Sequence, residues 1–260
     1  MELKSILYRN EDGILKIVLN RPEQRNALSP SMWEELEAAL REARADHGVK
    51  VIILTSTDGK AFASGSDIGS LHDRGHLAML EYRAGNVLRF MDELEKPILC
   101  AIDGWALGGG CELAMACDIR LATRRSKFGQ PELGLGILPG AGGTQRLVSL
   151  VGAAKAKELI FTGRIIDARE ACSIGLINQV VADDPGVLME AVDAMAREIA
   201  GKAPVALRLA KISINAAAQA NLQTGLTIER LAETVAFSTE DRREGTAAFL
   251  EKRSPRFQGR

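Results

Sequence analysis

The stretch PILCAIDGWALGGGCELAMACDIRLAT, residues 97–123, decides the class of fold. Its unbroken apolar start, PILCAI, is typical of a strand that is buried on both faces of a sheet. Three glycines at 108–110 then lead into a short apolar helix, and DIRLAT predicts the next strand. Buried strands separated by helices favour a parallel sheet, because parallel neighbours need a crossover connection.

Similar apolar runs lie on both sides of this stretch. Each is bounded by polar or glycine-containing segments, as expected of strands. The predicted strands are GILKIVLN (13–20), VIILTS (51–56) and LINQVV (176–181). Their alternation with helices predicts an α/β protein, and the pattern alone favours a doubly wound sheet.

Helix boundaries are marked by capping residues and prolines. Ser29 precedes Pro30, the usual order of an N-cap and a first helical residue, and Gly48 ends the apolar periodicity that follows. A second helical pattern covers residues 77–95. From about residue 185 onward the sequence predicts one helix after another and no further strand.

Composition excludes several functional classes. The chain has 260 residues, of which 46% are hydrophobic, enough for one main domain and an appended piece. Its net charge of −1 argues against a nucleic-acid binder that works through a basic surface. The N-terminal residues do not resemble a signal peptide, and no window is apolar enough to cross a membrane. We therefore expect a cytoplasmic protein that does not associate with nucleic acid or membranes.

Cofactor motifs are missing from the sequence. The glycines of GLGILPG, 134–140, are one residue off the dinucleotide fingerprint and do not follow the first strand of a βαβ unit. There is no P-loop and no G-x-S-x-G segment. The histidines and cysteines lack the spacing of metal ligands; they are His47, His72, His76, Cys100, Cys111, Cys117 and Cys172. We expect free core thiols, no metal and no redox cofactor.

Two small-residue turns and two glutamates stand out as candidate site residues. Ser64–Asp67 and the glycines at 108–110 can expose backbone N–H groups that stabilise a developing negative charge. Glu112 opens the helix after the glycines, where a carboxylate can also simply complement the helix dipole. Glu132 lies in the loop-like segment FGQPELG, where it can also be an ordinary solvated residue.

Taken together, these segments identify a family resemblance. The sequence resembles the crotonase, or enoyl-CoA hydratase/isomerase, family from about residue 10 to 258. The segments that carry the resemblance are NRPEQRNAL (20–28), FASGSDI (62–68), GWALGGGCELAMACDIRLAT (104–123), FGQPELGLGILPGAGGTQRL (128–147), TGRIIDAREACSIGLINQVV (162–181) and FSTEDRREGTAAFLEKRSPRF (237–257).

The resemblance implies a fold that the pattern does not. This is an α/β spiral of ββα units that forms two nearly perpendicular sheets. Residues 1–195 would be the core that holds the active site. Residues 196–260 would form a C-terminal helical region that serves trimerisation and part of the CoA site. Homotrimers, often paired into hexamers, are expected.

The resemblance also implies an activity and assigns roles. Ser66 and Gly109 would supply the two backbone N–H groups that hold the thioester oxygen. Glu112 and Glu132 would form the acid–base pair of an enoyl-CoA hydratase, which adds water across the 2,3 double bond of a trans-2-enoyl-CoA. Glu112 is expected to activate the water and Glu132 to supply the proton, with no cofactor. Isomerases usually lack one of the two glutamates.

Contacts with the coenzyme are implied in the same way. They would be made by Arg25, Ala27, Leu28, Ala63, Asp67, Ile68, Phe249 and Lys252. Phe249 and Lys252 are expected three residues apart on one face of a C-terminal helix, although an exposed charged helix end is the alternative. The segment 69–80 is expected to shape the acyl pocket, but it does not indicate a chain length.

Two other functions remain as alternatives. Isomerisation of an enoyl-CoA is the alternative within the same family. Some hydratases of the family bind RNA through a lysine-rich helix. The corresponding segment here, SMWEELEAALREARADHG at 31–48, has four glutamates and one aspartate against two arginines, which disfavours RNA.

Overall fold

The computed structural model describes residues 3–57, 60–72 and 74–260, and it divides their strands between two sheets. The strands are β1 (Ile6–Glu11), β2 (Ile14–Leu19), β3 (Val51–Ser56), β4 (Ala61–Ala63), β5 (Ile98–Ile102), β6 (Trp105–Leu107), β7 (Ile119–Thr123), β8 (Lys127–Gly129), β9 (Ile166–Asp167) and β10 (Gln179–Val181). The helices are α1 (Pro30–Ala45), α2 (Ile68–His72), α3 (Arg83–Glu93), α4 (Gly109–Met115), α5 (Gly143–Val151), α6 (Ala153–Thr162), α7 (Ala168–Ser173), α8 (Pro185–Ala200), α9 (Pro204–Ala217), α10 (Leu222–Ser238) and α11 (Glu240–Leu250). Within the described ranges, no helix is long and apolar enough to cross a bilayer.

Local sequence signals account for the start of α1. The Ser29 hydroxyl accepts a hydrogen bond from Met32 N at 3.2 Å, and Pro30 occupies the first helical position. The predicted helix over 77–95 is divided instead. A 3₁₀ turn covers His76–Met79, and α3 begins only at Arg83. Tyr82 therefore lies at the N-terminal end of α3.

The chain winds through both sheets in turn. Each of three successive turns gives one strand to the larger sheet, one short strand to the smaller sheet, and then a helix. The larger sheet has the order β1-β2-β3-β5-β7-β10 and is parallel except for the antiparallel pair β1–β2. The smaller sheet has the order β4-β6-β8-β9, with β4, β6 and β8 parallel.

The doubly wound sheet predicted from pattern is therefore wrong, and the crotonase-type spiral is confirmed. The larger sheet grows in one direction along the chain, without the reversal of strand order that defines a doubly wound sheet. Strands β4, β6 and β8 have only three residues each. Together with β9 they form the second sheet, although the pattern treats them as loops.

Apolar layers cover both faces of the larger sheet. Ile52 and Leu54 of β3 pack into the main core. Their neighbours Val51 and Ile53 point to the other face, where Val192 of α8 packs against them. This alternation explains why the central strands are apolar without interruption.

The C-terminal helices contact this core through a partly buried ion pair. The predicted boundary at 195/196 falls within α8, which packs on the sheet. Lys211 of α9 donates from Nζ to Asp118 Oδ2 at 2.8 Å and to Lys96 O at 3.0 Å. Since Lys211 is 9% exposed, this contact fixes α9 against the core.

The predicted C-terminal helix is shorter than expected. Helix α11 ends at Leu250, and Lys252 has a left-handed φ of 56°. Arg253 N donates to Ala248 O at 3.0 Å, the 6→1 bond that closes a helix C-terminus. Phe249 and Lys252 consequently do not share one helical face, and that prediction is wrong.

Candidate active site

Three loops form the candidate site, and each begins where a strand of the smaller sheet ends. Residues 64–67 follow β4, residues 108–112 follow β6, and residues 130–132 follow β8. Because these strands are parallel neighbours, their carboxyl ends meet at one edge of the sheet. The spiral thus brings together segments that are widely separated in the sequence.

Two backbone N–H groups face this edge. Leu28 N donates to Gly65 O at 2.8 Å and Asp67 N donates to Leu28 O at 3.2 Å, so the intervening Ser66 N–H points away from Leu28. Gly109 is the first residue of α4, where a helical N–H has no partner within the helix. A Cβ built on Gly109 would lie 3.5 Å from Ser66 N, so both donors belong to one wall.

The loops approach so closely that a side chain would not fit between them. A Cβ built on Gly110 would lie 2.2 Å from Ala63 O. Glycine at this position lets α4 begin directly against the end of β4. The wall that carries Ser66 and Gly109 depends on this contact.

Glu112 is buried and held by backbone donors. Its side chain is 3% exposed, and Oε1 accepts hydrogen bonds from Ala141 N at 2.8 Å and Gly143 N at 2.7 Å. Burial raises the pKa of Glu112 above its ordinary value, while the two N–H donors and the Arg146 charge oppose that rise.

The backbone turn that binds Glu112 is itself restrained by a side chain. Arg146 of α5 donates from Nη1 to Ala141 O at 3.0 Å. Its Nη2 pairs with Asp92 of α3. The guanidinium therefore restrains the backbone whose N–H groups bind the carboxylate, and it also places a positive charge near Glu112.

Glu132 is in a different environment. It is 9% exposed. With the NH2 group of the buried Gln130 amide facing the carboxyl, that group lies 2.8 and 3.1 Å from the two carboxyl oxygens. Burial raises the pKa of Glu132 to about 7, and the nearby Glu112 charge contributes to the rise. Burial therefore favours the protonated form of Glu132 near neutral pH more than for an ordinary glutamate.

Both carboxyls and both N–H groups line one cavity of about 460 Å³. Seven predicted site residues contribute to its wall: Ala27, Ser66, Asp67, Ile68, Gly109, Glu112 and Glu132. The other predicted contacts are outside this wall in the single chain. Leu28 and Ala63 are buried in the core, and Arg25, Phe249 and Lys252 are exposed.

Further side chains line the cavity, and sequence reasoning pointed to only some of them. The apolar side is formed by Leu71, Met79, Leu135, Ile137 and Leu138, and polar groups are added by Arg21, Gln24, Ser64 and Tyr82. Leu71 and Met79 belong to the segment that was predicted to shape the acyl pocket. Tyr82 has no such signal in the sequence, because it lies in the irregular connection before α3.

These features are suited to acid–base chemistry on a substrate oxygen that gains negative charge, and proteins similar to this chain are known. The family model for enoyl-CoA hydratase/isomerase matches residues 9–260. The short-chain-enoyl-CoA hydratase of Clostridium acetobutylicum is 43% identical over 255 residues, 97% of each chain. The crotonyl-CoA hydratase of Syntrophomonas wolfei is 40% identical over 259 residues, 99% of each chain.

Solved structures of similar proteins have the same fold as this chain. The crystal structure of enoyl-CoA hydratase from Bacillus anthracis matches with a TM-score of 0.95 and 39% identity, covering 99% of this chain and 100% of that chain. The chain therefore belongs to the enoyl-CoA hydratase/isomerase family, and the resemblance identified from the sequence is confirmed.

Proposed function

We propose that the protein is an enoyl-CoA hydratase that adds water reversibly across the 2,3 double bond of a trans-2-enoyl-CoA. The observation that carries this proposal is the presence of two buried carboxyls in one cavity with two backbone N–H groups. Isomerisation needs a proton to be moved between two carbons, whereas hydration needs one group to take a proton and another to give one. A pair of carboxyls in different environments supports hydration.

The roles of the two carboxyls follow from their environments. Glu112, whose Oε1 accepts two backbone hydrogen bonds that stabilise the ionised form against the effect of burial, would take a proton from water as the water attacks C3. Glu132, with a pKa of about 7, is suited to deliver a proton to C2. Negative charge that develops on the thioester oxygen would be stabilised by the N–H groups of Ser66 and Gly109.

The proposed chemistry uses only water and these groups. Among the described residues, no group of three or more His, Cys, Asp or Glu side chains is arranged to hold a metal. We propose that no metal or redox cofactor takes part, and that coenzyme A enters only as part of the substrate. A cytoplasmic location belongs to the same proposal and is supported by four free cysteines, three of them buried.

Association with further copies would complete the coenzyme site. Helix α10 exposes apolar side chains that include Leu231 and Val235, at 63% and 50%. We propose a homotrimer, or a hexamer formed from two trimers, in which Phe249 and Lys252 reach the cavity of a neighbouring copy. In the single chain neither residue lines the cavity.

The test is hydration of crotonyl-CoA by the purified protein, followed as loss of the conjugated enoyl absorbance. The rate should be the same with a chelator present. Glu112→Gln and Glu132→Gln should each lower kcat by about 10²–10⁴, the usual contribution of a positioned acid or base. Glu190→Gln, which changes an exposed residue of α8, is the matched control. The proposal would be contradicted if both glutamine variants hydrated the substrate at the wild-type rate, or if no trans-2-enoyl-CoA reacted.

A further inference from the structure

The side chain of Ser66 occupies the wall of the cavity where the two backbone donors meet. A Cβ built on Gly109 would lie 3.1 Å from Ser66 Oγ and 3.5 Å from Ser66 N. The hydroxyl thus lies on the same side as its own N–H and reaches towards Gly109. An acceptor atom held by the two N–H groups would be within the reach of this hydroxyl.

A second hydroxyl contacts Ser66 from the residue that precedes α3. Tyr82 OH lies 3.2 Å from Ser66 Oγ, and both residues line the cavity. The Tyr82 ring is half-buried, and the Arg74 guanidinium lies over it with its carbon 4.6 Å from the ring centre. The phenol is therefore held in place at the hydroxyl of Ser66.

A hydroxyl has one proton to donate and two lone pairs that accept. If Tyr82 donates to Ser66 Oγ, the Ser66 proton is free to be donated into the cavity. A hydroxyl that accepts one hydrogen bond is also a somewhat better donor in the next. The reverse direction would leave Ser66 with no proton for a substrate.

We propose that Ser66 Oγ is a third donor to the thioester oxygen, and that Tyr82 is a positioning residue that orients the Ser66 hydroxyl for this bond. The inference rests on the proposed function, because the oxygen gains its negative charge during hydration. Ser66 is a catalytic residue in this scheme through both its N–H and its hydroxyl. No bond is made or broken beyond those of the hydration itself.

The expected size of the effect follows from what is removed. Ser66→Ala keeps the backbone N–H and loses only the hydroxyl, so the variant should remain active with kcat lowered roughly 10- to 100-fold, as for one hydrogen bond to a charged group. KM should stay within about twofold, because the charge is present only in the transition state. Tyr82→Phe should lower kcat by a smaller factor, about three- to tenfold.

The decisive experiment is a double-mutant cycle with crotonyl-CoA. If Tyr82 acts through Ser66, Tyr82→Phe should cost nothing further in the Ser66→Ala background. Tyr8→Phe, at the other of the two tyrosines, is the control for removal of a phenol. An equal loss from Tyr82→Phe in both backgrounds would overturn the positioning role, and wild-type kcat in Ser66→Ala would overturn the third donor.

A binding measurement separates this inference from a structural effect. Acetoacetyl-CoA cannot be hydrated, and its enolate carries negative charge on the same thioester oxygen. The pKa of bound acetoacetyl-CoA, read from the enolate absorbance, should rise by about one unit in Ser66→Ala, equivalent to a tenfold loss of affinity for the enolate. An unchanged pKa would overturn the inference. Absence of hydration by the wild-type protein would instead contradict the proposed function.

Discussion

Replacing Glu132 by glutamine should stabilise the fold while it removes activity. The ordinary pKa of a glutamate is 4.5, and burial raises that of Glu132 to about 7. One pKa unit corresponds to about 1.4 kcal/mol, so ionising Glu132 in the folded protein costs about 3 kcal/mol. The amide of Gln130 favours the ionised form, which makes this figure an upper value.

The sign of the pH dependence follows from the direction of the shift. Because its pKa is higher in the folded than in the unfolded protein, Glu132 stabilises the fold most fully below about pH 4.5, and this contribution is lost as the pH rises through about 7. Glutamine has no such dependence. The difference in unfolding free energy, Glu132→Gln minus wild type, should be larger at about pH 8.5 than at about pH 5 by roughly 2 kcal/mol.

The assay is urea unfolding followed by circular dichroism at both pH values. Protein concentration must be the same throughout, because assembly also contributes to apparent stability. Glu190→Gln should leave the pH dependence of wild type unchanged, since this side chain is exposed on α8. A Glu132→Gln variant that is less stable than wild type by the same amount at both pH values would refute the reasoning.

Three further predictions concern activity. Wild-type kcat/KM for hydration should fall above about pH 7, where Glu132 loses the proton that it donates, and a flat profile between about pH 6 and 9 would contradict this role. Arg146→Gln should raise the pKa of Glu112, because it removes a nearby positive charge and the restraint on Ala141. The acidic limb of the kcat/KM profile should therefore shift to higher pH. Arg146→Lys should shift this limb less, and equal shifts in the two variants would contradict the charge effect. Lys252→Ala should raise KM for the CoA ester at low salt and leave kcat nearly unchanged, and an unaltered KM would show that the tail does not contact the coenzyme.

Part of the fold was predictable from local patterns. The central strands and α1 were recognisable because burial on both faces and an N-cap leave clear signals in the sequence. Strand β1 was not predicted, since its residues after Ile6 are mostly exposed and do not alternate. The Asp12–Gly13 turn, with φ values of 53° and 81°, was the one signal for the hairpin that it forms with β2.

The second sheet could not be derived from pattern at all. Strands of three residues are too short to show periodicity, and AFA, WAL and KFG are indistinguishable from loop segments in the sequence. Only the family resemblance predicted the spiral. The resemblance could not give the end of α11, because Lys252 adopts a left-handed conformation where glycine is usual.

The candidate site was likewise only partly predictable from the sequence. Glu112 and Glu132 were predicted because each lies in a recognisable segment, and the structure brings both into one cavity. The partners that set their pKa values were not predicted. The N–H groups of Ala141 and Gly143 approach Glu112 through tertiary packing alone, as Tyr82 approaches Ser66.

The succession of loops along the smaller sheet has a consequence for how new reactions arise on this fold. In the proposed scheme, the segment after β4 supplies one donor to the thioester oxygen, the start of α4 supplies the other donor and one carboxyl, and the segment after β8 supplies the second carboxyl. Recognition of the thioester would then depend mainly on backbone atoms, which a substitution of side chains leaves in place. The carboxyls are single side chains on separate segments of the chain. During evolution, a protein of this fold could therefore exchange one acid–base group and still bind acyl-CoA. A new reaction would then evolve on a substrate that already binds.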